Sequence, residues 1–526
     1  MGPMSPTTNY GGVNQFGASQ RDSASDGHGK QPIGEESTAD DTVEYTTSAD
    51  RKQIGYVSAV FLIFNRMVGT GIFATPSSIL ALSGSVGLAL FIWVAGMFIA
   101  FAGMLTYIEF GTGIPRNGGE KNYLEYVYRK PRFLITAMYA AYVVLLGWEG
   151  SNSVVFGEYI LTAANVERLL DPWSGAQLGT QVAESSGYHK LLILLLIIVS
   201  GFAALGGHIR IDKPDNFSNA FEGTTGSAYG VVTALYNVIW SYIGYSNANY
   251  ALSETKDPVK VLKRAAPAAL GLVSVLYMLC NIAYFAAVPK ADIASSGRIL
   301  AASFFRNMFG PRAERVLSVF VALSAFGNVL SVIFSQGRLV QEIGREGILP
   351  WSRLWASNKP FNAPFMGLFE HWCVSVIIML APPPGDAYNF IVNVISYPLA
   401  VVNVFVSAGL VYLYIRPYSP NRSPSVWAPP FRATLPVVIF FMLSNVYLVV
   451  APFVPPSAGQ NVYNSLPYYL HAVVGIAIFV AGAIYWLIWA VILPKIGGYD
   501  LVREGAVMDD GWTTNSFYRR PLNPRP

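Results

Sequence analysis

The chain has 526 residues, of which 53% are hydrophobic and 13% charged, with a formal net charge of +4. A mean hydropathy of +0.40, with the apolar residues gathered in repeated blocks of bilayer-crossing length, marks an all-α polytopic membrane protein and excludes an ordinary soluble domain. So small a net charge implies no nucleic-acid partner, and the two cysteines, Cys280 and Cys373, both inside apolar runs, exclude a loop disulfide framework.

Residues 1–53 are polar, rich in Ser, Thr, Gly and Asp, and lack the hydrophobic core of a signal peptide, so they are expected as a disordered cytoplasmic tail. Eleven spans follow: 54–82, 86–112, 133–162, 191–207, 228–252, 265–288, 316–337, 365–381, 388–414, 433–454 and 468–493. They bound a transmembrane domain over 54–494, with 495–526 expected as a cytoplasmic C-terminal tail. Lys and Arg concentrate in 114–132, 255–264, 338–363 and 415–432, which places these connections in the cytoplasm, whereas 382–387 and 455–467 carry neither and read as external. The connection 289–315 carries five and breaks the pattern. The crossings between 114–132 and 255–264 number three where an even number is required. The missing crossing falls at 163–190, a segment too polar to span, with Glu167, Arg168, Asp171 and Glu184.

The first span carries Gly69-Thr70-Gly71 at its centre, where a continuous helix should be most secure. Freed backbone groups in hydrocarbon cost several kcal/mol, so a break there survives only beside a cavity or ligand. It reads either as a discontinuous helix whose amides hold a carboxylate, or as small residues admitting a neighbouring helix. The run 228–252 ends in Trp240-Ser241-Tyr242-Ile243-Gly244-Tyr245-Ser246-Asn247, a second candidate break or a polar interhelical seam. Two interrupted spans, each opening one half of the chain, point to an inverted-repeat transporter with its site at the bilayer midplane. Arg66, Glu109 and Glu149 are ionisable residues within spans; Arg66 could pair with either glutamate, and for Glu109 a structural role stands ahead of proton carriage. No P-loop, metal-ligand cluster or catalytic set is present in the sequence, so neither a cofactor, nor a metal, nor an enzymatic step is expected.

Val68-Gly69-Thr70-Gly71-Ile72-Phe73-Ala74-Thr75-Pro76 resembles the first-helix signature of the amino acid-polyamine-organocation superfamily. Tyr107-Ile108-Glu109-Phe110-Gly111 and Ile114-Pro115-Arg116-Asn117-Gly118-Gly119-Glu120 resemble its L-type amino acid transporter branch. The stretch from Trp240 to Tyr250 and Gly344-Arg345-Glu346-Gly347-Ile348-Leu349-Pro350 are similar to the fungal high-affinity methionine permeases. The resemblance implies a 5+5 inverted helix repeat of the LeuT-like kind plus two C-terminal helices, with the fourth family helix absent here. It also implies a plasma-membrane permease for neutral amino acids, methionine foremost, working by alternating access and coupled to protons. On that pattern the substrate carboxylate falls on the amides of Gly69, Thr70 and Gly71. The ammonium falls on carbonyls around Trp240, Ser241, Ile243 and Gly244, with Trp240 as a gating aromatic. Lys190 falls at the fifth-helix position where some members place a coupling lysine; its alternative is a snorkelling helix-end lysine. No loop cysteine is available for a disulfide-linked heavy chain. A transport-incompetent sensor or decayed paralogue stands beside the permease because of the missing helix.

Overall fold

The computed structural model describes residues 55–115, 118–146, 150–164, 186–246, 249, 257–359, 363–383, 385–415, 427–456, 461–507 and 513–522. The expected N-terminal tail and Glu149 lie outside them. The first span is a broken pair, α1 (Tyr56–Met67) and α2 (Gly71–Ser83), bent by 44°. The left-handed Gly84 closes α2, and Ser85, whose hydroxyl accepts from the Leu88 amide, opens α3 (Val86–Gly113). There follow α4 (Glu120–Val127), α5 (Leu134–Val144), α6 (Gly150–Ala164), α7 (Ser186–Leu205), α8 (Ala228–Tyr242) and α9 (Pro258–Ala287). The second half holds α10 (Lys290–Ser295), α11 (Leu300–Phe309), α12 (Pro311–Arg345), α13 (Ser352–Ala356), α14 (Phe365–Leu380), α15 (Ala387–Ile415) and α16 (Leu435–Val450). α17 (Leu470–Trp486) runs through a π turn into α18 (Leu493–Gly497).

Every one of the eleven expected spans meets a helix or broken pair. Six described helices are long and apolar enough to cross a bilayer unaided, and the bent α1–α2 pair makes a seventh. α9 starts seven residues earlier than expected, because Pro258 fits a first helical turn and Lys260, Lys263 and Arg264 continue the helix beyond the apolar layer. The five cations of 289–315 are partly neutralised locally: Arg298 pairs with Glu158 and Arg306 with Glu314.

Contact order fixes the direction of the helices. Tyr277 of α9 meets Met67 of α1, and Ile293, just past α9, meets Ser77 of α2, so α9 runs with α1–α2. On α7, Lys190 meets Asn65, Leu194 meets Cys280, and Gly201 faces Ala283, so α7 runs the same way. On α6, Asn152 meets Thr70 and Tyr159 meets Phe73, again the same direction. Consecutive helices α6 and α7 are therefore parallel, with residues 165–185 between them.

The stretch expected as a C-terminal tail holds an antiparallel hairpin, β1 (Tyr499–Val507) with β2 (Thr513–Pro521), in the register Tyr499 opposite Pro521. It is fastened to the end of α12: the Phe517 amide donates to the Glu346 carbonyl at 2.8 Å and the Ser516 hydroxyl to the Arg345 carbonyl at 2.9 Å. Arg503 donates to Glu125 of α4 at 2.9 Å and to Glu346 at 3.2 Å, while Lys121 of α4 lies 2.6 Å from Glu346. Phe517 packs edge-on against Phe133 and Trp489. The strands were illegible as structure because their apolar residues are few and their hold is tertiary.

Candidate substrate site

The two breaks touch. A Cβ on Gly71 would lie 2.8 Å from the Ser241 Cα, and one on Gly244 would lie 2.7 Å from the Arg66 Cγ. A Cβ on Gly69 would fall 1.8 Å from the side-chain nitrogen of Asn328 on α12. Breaking the helix and admitting a neighbour, two alternatives in the sequence, are thus served by the same glycines.

In the first break the Met67 carbonyl accepts from the Gly69 amide at 2.9 Å, and the Thr70 carbonyl accepts from Phe73 and Ala74. The Gly69 amide is therefore engaged, and the helix-start donors lie one step further on, at Gly71 and Ile72, which have no carbonyl four residues back inside α2. The start of α2 is a positive helix end, which favours nearby negative charge. Thr70 is buried, its hydroxyl donating to the side-chain oxygen of Asn152 on α6 at 2.6 Å.

In the second break α8 stops at Tyr242, and the chain turns through Ile243 and Gly244, the latter at φ +123°. The Trp240 carbonyl accepts from Ile243 at 3.2 Å, and Trp240 itself is nearly buried. The Ser241 hydroxyl donates to the Asn237 carbonyl and lies 3.2 Å from the hydroxyl of Thr75 on α2. Its carbonyl lies 3.1 Å from the Tyr277 hydroxyl, which also lies 2.8 Å from the Met67 carbonyl. One phenol on α9 therefore ties the two breaks. Trp93 of α3 and Tyr242 pack against its ring at 5.6 and 5.4 Å between centroids.

The charged residues divide. Lys190 is fully buried and donates to the Asn65 carbonyl, near the end of α1, at 3.0 Å. Arg66 donates to the Asn328 side chain at 3.3 Å. The pairing of Arg66 with Glu109 does not form. Glu109 is fully buried, but its oxygens accept from the Trp427 indole at 2.8 Å, the Ala433 amide at 2.7 Å and the Tyr414 hydroxyl. A carboxylate so supplied with donors fastens α3 to the chain entering α16. Asn152, Asn328 and Tyr277 were not singled out from sequence. The two asparagines carried a usable signal, since polar side chains inside apolar spans seldom go unused; Tyr277 carried none.

The arrangement brings the helix-start amides of α2 and the carbonyls of the Trp240–Gly244 turn side by side, with Arg66 against Gly244. A profile of the amino acid permease family matches residues 54–183 and 173–479. The chain is 48% identical over 491 residues to the high-affinity methionine permease of Saccharomyces cerevisiae, covering 89% of this chain and 85% of that one. It is 29% identical over 540 residues to the low-affinity methionine permease of the same yeast, covering 98% and 95%. It is 29% identical over 441 residues to the b(0,+)-type amino acid transporter 1 of Mus musculus, covering 80% and 87%. Its relatives are transporters rather than enzymes, and the chain belongs to the amino acid permease family.

Proposed function

We propose that this multi-pass membrane permease carries neutral amino acids, methionine foremost, across the plasma membrane by alternating access. The observation that carries it is the meeting of the two broken helices at Gly71 and Ser241 under a single Tyr277 hydroxyl. The α-carboxylate docks on the amides following Thr70, at the positive end of α2, and the ammonium docks on carbonyls of the Trp240–Gly244 turn. Methionine is favoured by the 48% identity to a methionine permease. Lys190 is the coupling group, its ammonium holding α1 in place through the Asn65 carbonyl in one protonation state and releasing it in the other.

The repeat is 5+5. Parallel α6 and α7 support this, because in such a repeat the third and fifth helices run the same way. Both termini then lie in the cytoplasm. α6, α7 and α9 all run with α1–α2, so the inversion of later helices that motivated the sensor alternative is not supported. With Cys280 buried in α9 and Cys373 within α14, the permease works without a disulfide-linked heavy chain.

The test is uptake of labelled methionine in cells lacking their own permeases. Accumulation that depends on external pH is expected, and Lys190→Met should keep substrate binding while losing the pH dependence. Failure of the wild-type chain to accumulate methionine or any neutral amino acid would overturn the proposal.

A further inference from the structure

We propose that Arg298 and Glu158 form an outer latch, holding the connection between α9 and α12 shut over the amino acid site. This rests on the alternating-access proposal above and adds the residues that open one side.

The connection rides on the substrate-binding half-helix. The Ser77 hydroxyl of α2 donates to the Ile293 carbonyl of α10 at 2.6 Å, so α10 follows α2 when it moves. On the opposite side stands α6. Arg298, in the turn between α10 and α11, directs its Nε at both carboxylate oxygens of Glu158, 2.8 Å from each, and its Nη2 also donates to that carboxylate. The same guanidinium lies 5.1 Å from the ring centre of Tyr388, at the start of α15. One side-chain pair therefore joins the connection to two helices that do not belong to α2.

Another face of α6 contacts the half-helix α2 at two levels. Asn152 accepts from Thr70, and the Tyr159 hydroxyl donates to the Phe73 carbonyl at 3.2 Å. From Asn152 to Tyr159 is about 10 Å along the helix at 1.5 Å per residue. Glu158 precedes Tyr159 by one residue, so Arg298–Glu158 fastens the connection to α6 at the level of the outer of these two ties, about 9 Å along the helix from Asn152.

Its chemistry suits opening. The two ties from α6 to α2 are buried, and breaking them leaves polar groups without water. The side chains of Arg298 and Glu158 are 23% and 15% exposed, so water reaches the rim and can replace the pair at modest cost, while the bidentate fork restores one geometry on closure.

The experiment uses the full chain in permease-deficient cells, with Val155→Cys, one turn below Tyr159 on α6 and buried, as reporter in a Cys373→Ala background. External modification by a membrane-impermeant cationic thiol reagent reads access past the rim. Glu158→Gln and Arg298→Gln should each raise the modification rate about fivefold, the scale of a partly exposed pair. Each should raise the KM for methionine more than it lowers the maximal rate. The exchange E158R with R298E should return both readings toward wild type, and Arg298→Lys, which keeps charge without the fork, should fall between. Unchanged modification rates with normal surface amounts would overturn the latch, as would an exchange variant that reaches the surface without recovery. If the parent chain carries no amino acid, the modification rates still read the latch, so the two failures are separable.

Discussion

Gly71 shows how much one hydrogen atom decides. Its missing Cβ is what lets α2 begin against the backbone of Ser241, since a methyl there would meet a Cα at 2.8 Å with no flexible atom able to give way. Gly71→Ala should therefore abolish methionine uptake or raise its KM at least about tenfold while the protein still reaches the membrane, as radiolabel uptake and surface labelling will show. Gly157→Ala is the matched control. No atom lies within 4 Å of its added methyl, so uptake should be unchanged and thermal stability in detergent slightly raised, by about 0.5 to 1 kcal/mol. The pair of glycines in the first break could be found from sequence because glycine in the middle of an apolar run conflicts with helix propensity. Tyr277 could not, since a tyrosine in a span is ordinary until the fold brings it to carbonyls 210 and 36 residues away. Glu158 was passed over as the end of a span, and its partner Arg298 as one of several loop cations. Their meaning arises from a contact 140 residues apart in the chain.

The C-terminal hairpin is an element without local strength, since two strands alone are marginal in water. It is held by charge. Burial pushes the Glu125 carboxyl up, but Lys121 and Arg503, with hydrogen bonds from Arg503 and Thr136, hold it down to about 2 against an ordinary 4.5. A carboxyl with a lowered folded value contributes stability that is complete above its unfolded value and lost as pH falls through the folded one. The hairpin should thus stay docked from neutral pH down to about 4.5 and loosen between there and about 2. Limited proteolysis of the purified protein at stepped pH, cutting at the residues after Gly498, will show it. Release already at pH 6 would rule out Glu125 as the controlling group. Alternation is too short and too mixed in Tyr499–Val507 to have announced a strand, which is why the segment passed for a tail.

At the scale of the whole molecule the spans were legible and one turn of the path was not. Hydropathy placed a helix at each of the eleven segments, and among the described residues six helices and one bent pair are long and apolar enough to cross a bilayer that demands about twenty apolar residues of each. It also exposed the odd count, but direction is a tertiary property, and only contacts such as Lys190 with Asn65 and Tyr159 with Phe73 reveal that α6 and α7 are parallel. The expected outcome is that Ala164→Cys and His189→Cys, at the facing ends of residues 165–185, label from opposite sides of the membrane. Labelling of both from one side would contradict the parallel pair. The Arg298–Glu158 latch then lies on the side from which Ala164→Cys is labelled.

The hydroxyl of Tyr277, bonded to Met67 and Ser241 together, has a consequence for what the permease can recognise. Because one phenol spans both breaks, the walls proposed to take the carboxylate and the ammonium cannot drift apart independently. The site becomes a fixed ruler for the part that every α-amino acid shares. β-Homomethionine, whose ammonium and carboxylate stand one carbon further apart, should fail to compete with methionine uptake in the wild type. In Tyr277→Phe, where the ruler is cut while the ring remains, it should begin to compete.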